Sequence, residues 1–216
     1  MATILSNTLE NTDLIVNKLR QKEVVVFPTD TVYGLSAIAN NSEAILKVYN
    51  YKNRPLSKPL IILLHNIKQA AELFEVNDTF YLLAERFLPG GLTLILNKRA
   101  DAKIHPLCSN YTNKQGFRIP NNEICLKLLA DLNEPVVATS ANLSSQVSPT
   151  TAEQVRQSFI DKDLLILNDD KNIAGIESTI LDITEEKNIM LLRQGAIGLS
   201  QLEDLNLKIN INCKNY

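Results

Sequence analysis

Short apolar runs rich in Val, Ile and Leu recur along the chain, and polar segments separate them. Continuous apolar runs of this length are typical of strands that are buried on both faces of a sheet. The eight runs are VVVF (24–27), LIILL (60–64), LTLIL (92–96), GFRI (116–119), PVVAT (135–139), LLIL (164–167), STILDI (178–183) and IMLLR (189–193). Each run is therefore predicted to form a strand.

The segments between these runs carry apolar residues at spacings of three and four, which predicts helices. Two helices have a clear apolar face, formed by Leu14, Ile15 and Leu19 in the first and by Ile45, Val48 and Tyr49 in the second. Asn41 or Ser42 is the predicted N-cap of the second helix. Further helices are predicted at 67–74, 78–87, 122–132 and 151–160. Thr150 and Glu153 have the spacing of a capping box at the start of the last one.

The alternation of strands and helices predicts the α/β fold class with one mixed, largely buried sheet. The chain has 216 residues, which is enough for one large domain or for one domain and a tail. The segment after Gly195 can hold a short helix, and no regular structure is predicted past about residue 205.

The charge balance excludes some classes of nucleic-acid-binding protein. The chain has 22 Lys and Arg against 24 Asp and Glu, a formal net charge of −2, whereas coat-like nucleic-acid binders carry a bulk positive charge. Cys108, Cys125 and Cys213 lack the spacing of a zinc site, and His65 and His105 have no partner ligands near them in the sequence. Reduced thiols in a cytosolic protein are therefore expected.

The N-terminal segment also bears on location. It lacks a cationic start followed by an apolar run, so no signal peptide is predicted. The longest apolar run covers residues 59–64, far fewer than the ~20 residues that span a bilayer. A cytoplasmic protein without membrane contact is expected.

The segment YNYKNRPLSKPL (49–60) concentrates positive charge. It holds Lys52, Arg54 and Lys58 with no acidic residue among them, and two prolines stiffen it. The segment is either a solvated loop or an anion site, and the spacing does not decide between them. An Arg offers a planar fork and a Lys a compact charge, a combination that suits a polyphosphate.

Two polar segments follow predicted strands. FPTDTVYGL (27–35) carries Thr29, Asp30 and Thr31, and ATSANLSSQVSPTTAEQV (138–155) carries many hydroxyl groups. Open α/β sheets bind ligands at such places, but turns and helix caps also explain these residue types. Ser140 is not predicted to be a covalent nucleophile, because no G-x-S-x-G elbow surrounds it and only two histidines could serve as a base.

Arg118 and Arg193 lie in or at the end of apolar strands. An arginine in such a place needs an anionic partner, which is either a protein carboxylate or a ligand. The Gly pair in LPGGLTLIL (88–96) has neither P-loop nor dinucleotide-binding spacing, so a tight turn is predicted.

Seven motifs together indicate a family. In order, PTDTVYGL, KNRPLSKPL, LPGGLTLIL, GFRIP, TSANLSSQVSPTT, ESTI and LLRQG resemble the YrdC-like family of threonylcarbamoyl-adenylate synthases, in its single-domain bacterial form. The resemblance covers roughly residues 12–196. It implies a single-domain α/β fold, a twisted mixed β-sheet flanked by helices with a large basic cleft. It also implies a catalytic domain over 1–196 and a C-terminal tail over 197–216.

The resemblance implies an activity and its partners. L-threonine, bicarbonate (or CO2) and ATP would give threonylcarbamoyl-adenylate and pyrophosphate. Separate tRNA threonylcarbamoyl-transfer proteins would use this product to form N6-threonylcarbamoyladenosine in tRNA, and a weak direct contact with RNA is left open. Mg2+ is expected on the ATP phosphates, with Asp30 as the assisting acid, and neither an organic cofactor nor a protein-held metal is expected.

Site residues are implied where this sequence matches the family motifs. Catalytic roles fall on Lys52 and Arg54. The nucleotide-binding set is Lys52, Arg54, Lys58, Ser140, Asn142, Thr150 and Arg193, and the threonine-binding set is Thr31, Arg118 and Ser178. The sequence departs from the family at Leu63, where some members have a histidine, and at Lys114, where a threonine is frequent.

The predicted mechanism is electrostatic: cations offset the repulsion between a carboxylate, a carbamate and a triphosphate. One alternative is a non-catalytic RNA-binding module for tRNA or rRNA maturation. The lack of bulk positive charge and of stacking aromatic residues beside the cations disfavours it. Carbamoyl-adenylate formation from carbamoyl phosphate is a third hypothesis, and such domains normally belong to larger multidomain chains.

Overall fold

The computed structural model describes residues 1–186, 188–205 and 207–213. Its helices are α1 Leu9–Arg20, α2 Ser42–Lys52, α3 Ile67–Leu73, α4 Asp78–Phe87, α5 Glu123–Leu132, α6 Ala152–Ser158 and α7 Leu199–Glu203. Its strands are β1 Thr3–Leu5, β2 Val25–Phe27, β3 Gly34–Ile38, β4 Ile61–Leu63, β5 Leu92–Asn97, β6 Lys114–Arg118, β7 Val136–Ser140, β8 Leu165–Leu167, β9 Thr179–Asp182, β10 Ile189–Arg193 and β11 Ile209–Ile211. The α/β fold class is confirmed.

Within the described residues the strands form one 11-stranded sheet in the order β1-β8-β2-β3-β7-β4-β6-β5-β9-β10-β11. The sheet contains both parallel and antiparallel pairs: β2 pairs with β8 in parallel and with β3 antiparallel, and β4 pairs with β6 in parallel and with β7 antiparallel. The predicted mixed sheet is confirmed.

Alternation along the strands divides the core into two layers. In and beside β2, Val24 and Val26 belong to the larger apolar cluster, whereas Val25 and Phe27 belong to the smaller one. This is the period of two that a pleated strand imposes. Helices therefore cover both faces of the sheet, as the α/β interpretation requires.

The smaller layer covers only part of its face of the sheet. Helices α1 and α5 pack against each other and supply most of its apolar side chains. These side chains lie against β2, β7 and β8 and reach β4 through Leu63. On the same side, Thr93 of β5, Gly116 of β6 and Ile180 of β9 line a pocket instead. The site is thus a part of the sheet face that helices leave open.

Three strands were not predicted. The strand β3 has the sequence GLSAI, whose small residues lack the β-branched character of a typical strand, yet it is fully buried between β2 and β7. Strands β1 and β11 have the sequences TIL and INI and are only partly buried, so no continuous apolar run marks them. The helix α7 occurs in the segment where a short helix was considered, and β11 lies beyond the limit of about residue 205.

The prediction for the first helix was partly wrong. Ile15 and Leu19 are fully buried, together with Val16, but the side chain of Leu14 is 39% exposed. Successive helical residues are about 100° apart, so Leu14 lies about 140° from Leu19 while Ile15 lies about 40° from it. For the second helix the prediction was right: Asn41 is the N-cap, accepting from the amide of Ala44.

The capping box of α6 is displaced by one residue from the predicted one. Thr151, not Thr150, is the N-cap, and its Oγ1 accepts from the amide of Gln154 at 3.2 Å. The Gln154 Oε1 in turn accepts from the amides of Thr150 and Thr151. The pattern T-T-A-E-Q allows two registers, and the structure uses the one that places Gln at the third helical position.

In the part of the chain that the structure describes, no helix has both the length and the apolar composition that crossing a bilayer requires. The helix α1, with 12 residues, is well short of that length.

The displaced cap makes a prediction. Thr151→Ala should lower the free energy of unfolding by about 1 kcal/mol, because it removes the acceptor for an amide at the start of α6. Thr150→Ala should cost less than about 0.5 kcal/mol, since its hydroxyl group makes only a long contact of 3.4 Å with Gln154. Urea unfolding of both variants measures these two changes in the free energy of unfolding. A larger loss of unfolding free energy for Thr150→Ala than for Thr151→Ala would favour the predicted register, in which Thr150 is the N-cap.

Candidate functional site

The pocket lies over the uncovered face of the sheet and has a volume of about 390 Å³. Its floor consists of five pairs of residues, one pair in or directly beside each of five neighbouring strands. The two members of a pair are two positions apart in the sequence. The pairs are Ala138 and Ser140, Ile61 and Leu63, Gly116 and Arg118, Thr93 and Ile95, and Ser178 and Ile180. Side chains two apart point to the same face of a strand. The floor is therefore set by strand pairing rather than by loop conformation.

Most of the predicted site residues line this one pocket. They are Thr31, Lys52, Arg54, Lys58, Arg118, Ser140, Asn142, Ser178 and Arg193. Thr150 is not among the lining residues; its hydroxyl group contacts Gln154 at 3.4 Å. The pocket thus collects five cationic side chains from three separate segments of the chain.

Lys52 is buried, with 2% of its surface exposed. Its Nζ donates to the carbonyl oxygen of Ser140, to that of Asn142 at 2.6 Å and to Asn142 Oδ1 at 3.3 Å. An ammonium group has three N–H donors, so these three acceptors use all of them. Lys52 therefore fastens the end of α2 to the loop that follows β7.

The environment of Lys52 opposes its charge. Burial, and after it the positive charge of Arg54, lower the pKa of Lys52 to about 7, while the carboxylate of Glu177 acts in the opposite direction. The three oxygen acceptors also favour the charged form. A bound polyphosphate would do the same, so anion binding and protonation of Lys52 should favour each other.

Arg54 and Lys58 lie at the mouth of the pocket. The helix α2 ends at Lys52, and Asn53 follows in the left-handed conformation with φ of 50°. Arg54 then donates from Nε to the carbonyl of Lys58 at 3.2 Å and from Nη2 to that of Pro59 at 2.8 Å. These bonds close the proline-flanked segment into a loop and leave the exposed Lys58 side chain at its edge.

Arg118 is buried on the floor and bonded to the loop between β2 and β3. Its Nη2 donates to Asp30 Oδ1 at 2.6 Å and its Nη1 to Thr31 Oγ1 at 2.5 Å. Burial lowers the pKa of Arg118, and the carboxylate of Asp30 opposes this. Its Nε is also buried and has no partner within the described structure. The sequence interpretation required an anionic partner for this residue, and Asp30 is one.

Arg193 has a comparable arrangement at the opposite wall. Its Nη1 donates to Glu177 Oε2 at 2.5 Å, its Nη2 to Ser178 Oγ at 3.1 Å and its Nε to the carbonyl of Ser178 at 3.0 Å. Ser178 Oγ also lies 2.7 Å from Thr93 Oγ1. The hydroxyl groups of the floor and the guanidinium of Arg193 therefore form one connected set.

Asn142 shapes the loop after β7. Its Nδ2 donates to the carbonyls of Leu143 at 3.0 Å and Gln146 at 2.7 Å. With Oδ1 accepting from Lys52, this side chain holds the loop from inside. His65 and His105 are not among the residues that line the pocket, which agrees with the view that Ser140 is not a nucleophile activated by a histidine.

The two departures from the family pattern have different outcomes. Leu63 lines the pocket and is buried, so it supplies an apolar wall where a histidine would supply a polar one. Lys114 is not a lining residue; its Nζ forms an ion pair with Asp182 Oδ2 at 2.9 Å. Lys114 therefore adds no cation to the lining of the pocket.

Several lining residues were missed by reasoning from the sequence. Glu177, Ser148 and Thr93 line the pocket alongside the predicted residues. Glu177 lies in the motif ESTI, from which only the serine was carried into the predicted site. Thr93 gave a signal as well, since it is a hydroxyl residue inside the apolar run LTLIL, and it is fully buried.

Comparison with known proteins yields a family model and close relatives. Residues 17–195 match the Sua5_yciO_yrdC family model, described as Telomere recombination. Threonylcarbamoyl-AMP synthase of Pyrococcus abyssi is 36% identical over 196 residues, 90% of this chain and 56% of that protein. The protein of the same name from Bacillus subtilis is 38% identical over 186 residues, 86% of this chain and 53% of that protein.

A solved structure of a Sua5 protein is also similar to this chain. The structure of Pyrococcus abyssi Sua5 complexed with L-threonine matches with a TM-score of 0.90 and 33% sequence identity, covering 98% of this chain and 62% of that chain. The chain therefore spans little more than half the length of these relatives. The segment matched by the family model contains the residues that line the pocket.

The contacts of Lys52 make a prediction about stability. Lys52→Met should lower the free energy of unfolding by about 2 kcal/mol, because buried oxygen acceptors lose their donor. Lys58→Met, an exposed lysine from the same loop, is the matched control and should change stability by less than about 0.5 kcal/mol. Urea unfolding at pH 7 measures both. Equal changes in unfolding free energy in the two variants would show that the contacts of Lys52 with the loop after β7 do not stabilise the fold.

A second prediction concerns pH. The pKa of Lys52 is about 7 in the folded protein and 10.5 as the ordinary value. The unfolded chain therefore holds more protons between these values, and this group makes folding stability rise with pH across that window. From pH 7 to pH 9, the wild type should gain stability relative to Lys52→Met, by at most ~1.4 kcal/mol per pH unit. Denaturant titrations at matched ionic strength measure the difference. A constant or falling difference would contradict the lowered pKa.

Proposed function

The chain belongs to the Sua5/YciO/YrdC family, and on this basis we propose that it is a threonylcarbamoyl-adenylate synthase. It would convert L-threonine, bicarbonate (or CO2) and ATP to threonylcarbamoyl-adenylate and pyrophosphate in the cytoplasm. The names of the relatives from Pyrococcus abyssi and Bacillus subtilis support this activity, and so does the L-threonine complex of Pyrococcus abyssi Sua5. These names favour an enzyme over a non-catalytic RNA-binding module.

One observation carries the proposal: five cations and several hydroxyl groups line a single pocket. The reaction brings together a carboxylate, a carbamate and a triphosphate. Two unit charges 5 Å apart repel by about 3 kcal/mol at an effective dielectric constant of about 20. A pocket with this lining offsets that repulsion and stabilises the negative charge that develops on the leaving pyrophosphate.

The bond changes are as follows. The neutral amine of threonine adds through its nitrogen lone pair to the carbon of CO2 and releases one proton to the solvent, which gives a carbamate. A carbamate oxygen then attacks the α-phosphorus of ATP, and the bond from that phosphorus to the bridging oxygen breaks to release pyrophosphate. No covalent bond to the protein is needed, so the chain contributes by positioning and by charge.

The residues divide into two groups in this proposal. On the nucleotide side, Arg54, Lys58 and Arg193 contact phosphates, and Ser140 and Asn142 contact the nucleotide. Lys52 acts there through its charge, while its N–H groups hold the loop after β7. On the threonine side, Arg118 binds the carboxylate, with Thr31 and Ser178 as hydroxyl partners of the amino acid.

Mg2+ carried by ATP would neutralise part of the phosphate charge. Within the described residues no group of three or more His, Cys, Asp or Glu could hold a metal ion. Mg2+ commonly binds through phosphates, water and one or two carboxylates. Glu177 lines the pocket and can serve as that carboxylate, whereas Asp30 is bonded to Arg118. We further propose that tRNA threonylcarbamoyl-transfer proteins receive the product.

Arg54→Ala should lower threonine-dependent pyrophosphate release at least about 100-fold, because it removes a cation from the phosphate side. The assay incubates the full chain with ATP, bicarbonate and each amino acid in turn, and measures pyrophosphate. Arg156→Ala is the matched control, since Arg156 lies on α6 in an exposed ion pair with Glu153 and should leave the rate unchanged. Far-ultraviolet circular dichroism verifies folding. Full activity of Arg54→Ala would contradict the proposed role.

A further inference from the structure

Glu177 is an acid inside a pocket that the proposed reaction fills with anions. Among the described residues that line the pocket, it is the only acidic side chain, and five cations line it as well. Burial lowers the pKa of both Lys52 and Arg54, and the negative charge of Glu177 opposes this, so its field reaches the phosphate side. A metal-free triphosphate entering this pocket would therefore meet a carboxylate among the cations.

The carboxylate is held by named partners. Its Oε2 accepts from Arg193 Nη1 at 2.5 Å and its Oε1 accepts from Ser148 Oγ at 2.8 Å. The side chain is 41% exposed, so it remains accessible to a ligand. Each of its oxygens keeps a further lone pair that can bind a cation.

The backbone beneath Glu177 has little freedom to withdraw. The amide of Ala196 donates to the Glu177 carbonyl at 2.9 Å, and a Cβ added at Gly195 would lie 2.1 Å from that same oxygen. On the other side, the amides of Ala174 and Gly175 donate to the carbonyls of the loop between β2 and β3. The backbone that carries Glu177 is therefore anchored on both sides.

The other nearby acid is not available in the same way. Asp30 Oδ1 accepts from the buried guanidinium of Arg118 at 2.6 Å, and Asp30 is not among the lining residues. Glu177 is therefore the carboxylate that a nucleotide in this pocket would face.

We propose that Glu177 determines the form of the nucleotide that the pocket accepts, admitting the complex with a divalent cation and disfavouring the metal-free triphosphate. Without a metal, the carboxylate repels the phosphates and competes with them for Arg193. A divalent cation on the phosphates reverses this, because it can be shared between a phosphate oxygen and Glu177. The inference rests on the proposed function, since it assumes that this pocket binds ATP.

The experiment measures binding, not turnover. A non-hydrolysable ATP analogue with a methylene group between its α- and β-phosphorus atoms is titrated into the full chain by calorimetry, once with excess Mg2+ and once with EDTA. Wild type and Glu177→Gln are compared. Glu153→Gln is the matched control, because Glu153 is an exposed acid on α6 that pairs with Arg156. Glutamine keeps acceptor and shape but removes the charge.

We expect the wild type to bind the analogue at least about tenfold more tightly with Mg2+ than with EDTA. Glu177→Gln should bind the metal-free analogue about five- to tenfold more tightly than the wild type does, and should lose most of the preference for Mg2+. Glu153→Gln should behave as the wild type. Glu177→Asp, which retains the charge, should retain the preference, and Glu177→Ala, which removes the carboxylate, covers the case that the Gln variant does not fold.

Three results would overturn the inference. One is an unchanged Mg2+ preference in Glu177→Gln. Another is equal weakening of both forms of the analogue, which would show that Glu177 only positions Arg193. If the Gln variant does not fold, an unchanged Mg2+ preference in Glu177→Ala has the same meaning. A wild type that binds the analogue under neither condition would remove the proposed function itself, and the inference with it.

Discussion

The structure depends on holding several like charges together before any ligand arrives. Five cations share one cavity, and their mutual repulsion, together with the cost of burial, has to be offset by the protein. Each of the more buried ones has its own oxygen partners. Lys52 has the loop after β7, Arg118 has Asp30 and Arg193 has Glu177. These contacts also fix the direction of each charge, which is the pre-organisation that the proposed anion binding requires.

The second requirement is room beside those charges, and the sheet provides it. Helices α1 and α5 cover one part of a face, and the strands beyond them carry small or medium side chains on that face. A Cβ at Gly116 would contact Ile61, Thr93 and Ile95 at 3.5 Å each, so this glycine keeps the floor low. Under the proposed function, the cationic side chains around this floor would take the role that backbone amides of glycine-rich loops have at other phosphate sites.

Much of the fold could be predicted from the sequence because burial on both faces leaves a simple pattern. All eight apolar runs became strands, with ends shifted by one or two residues. The strand β3 was not predicted, because GLSAI consists mostly of small residues without a strand pattern. Its pairing with β2 and β7 places it in the sheet. Thr150 and Thr151 offered two capping registers, and only tertiary contacts select one.

The site residues were predicted from the order of the motifs, which indicates which residues meet but not which atoms they bond to. The hydrogen-bond partners of Arg118, Lys52 and Glu177 could therefore be identified only from the structure.

One such detail was nevertheless present in the sequence. In α2 the buried positions Ile45, Val48 and Tyr49 are followed at the same periodicity by Lys52, so a helix through this segment places a lysine on its apolar face. A lysine there cannot be a solvated cation and must have oxygen partners. Arg54 follows a left-handed residue that ends the helix and therefore lies at the mouth. The end of α2 thus divides one cationic segment into an internal support, Lys52, and a cation at the pocket mouth, Arg54, and the spacing K-x-R encodes both.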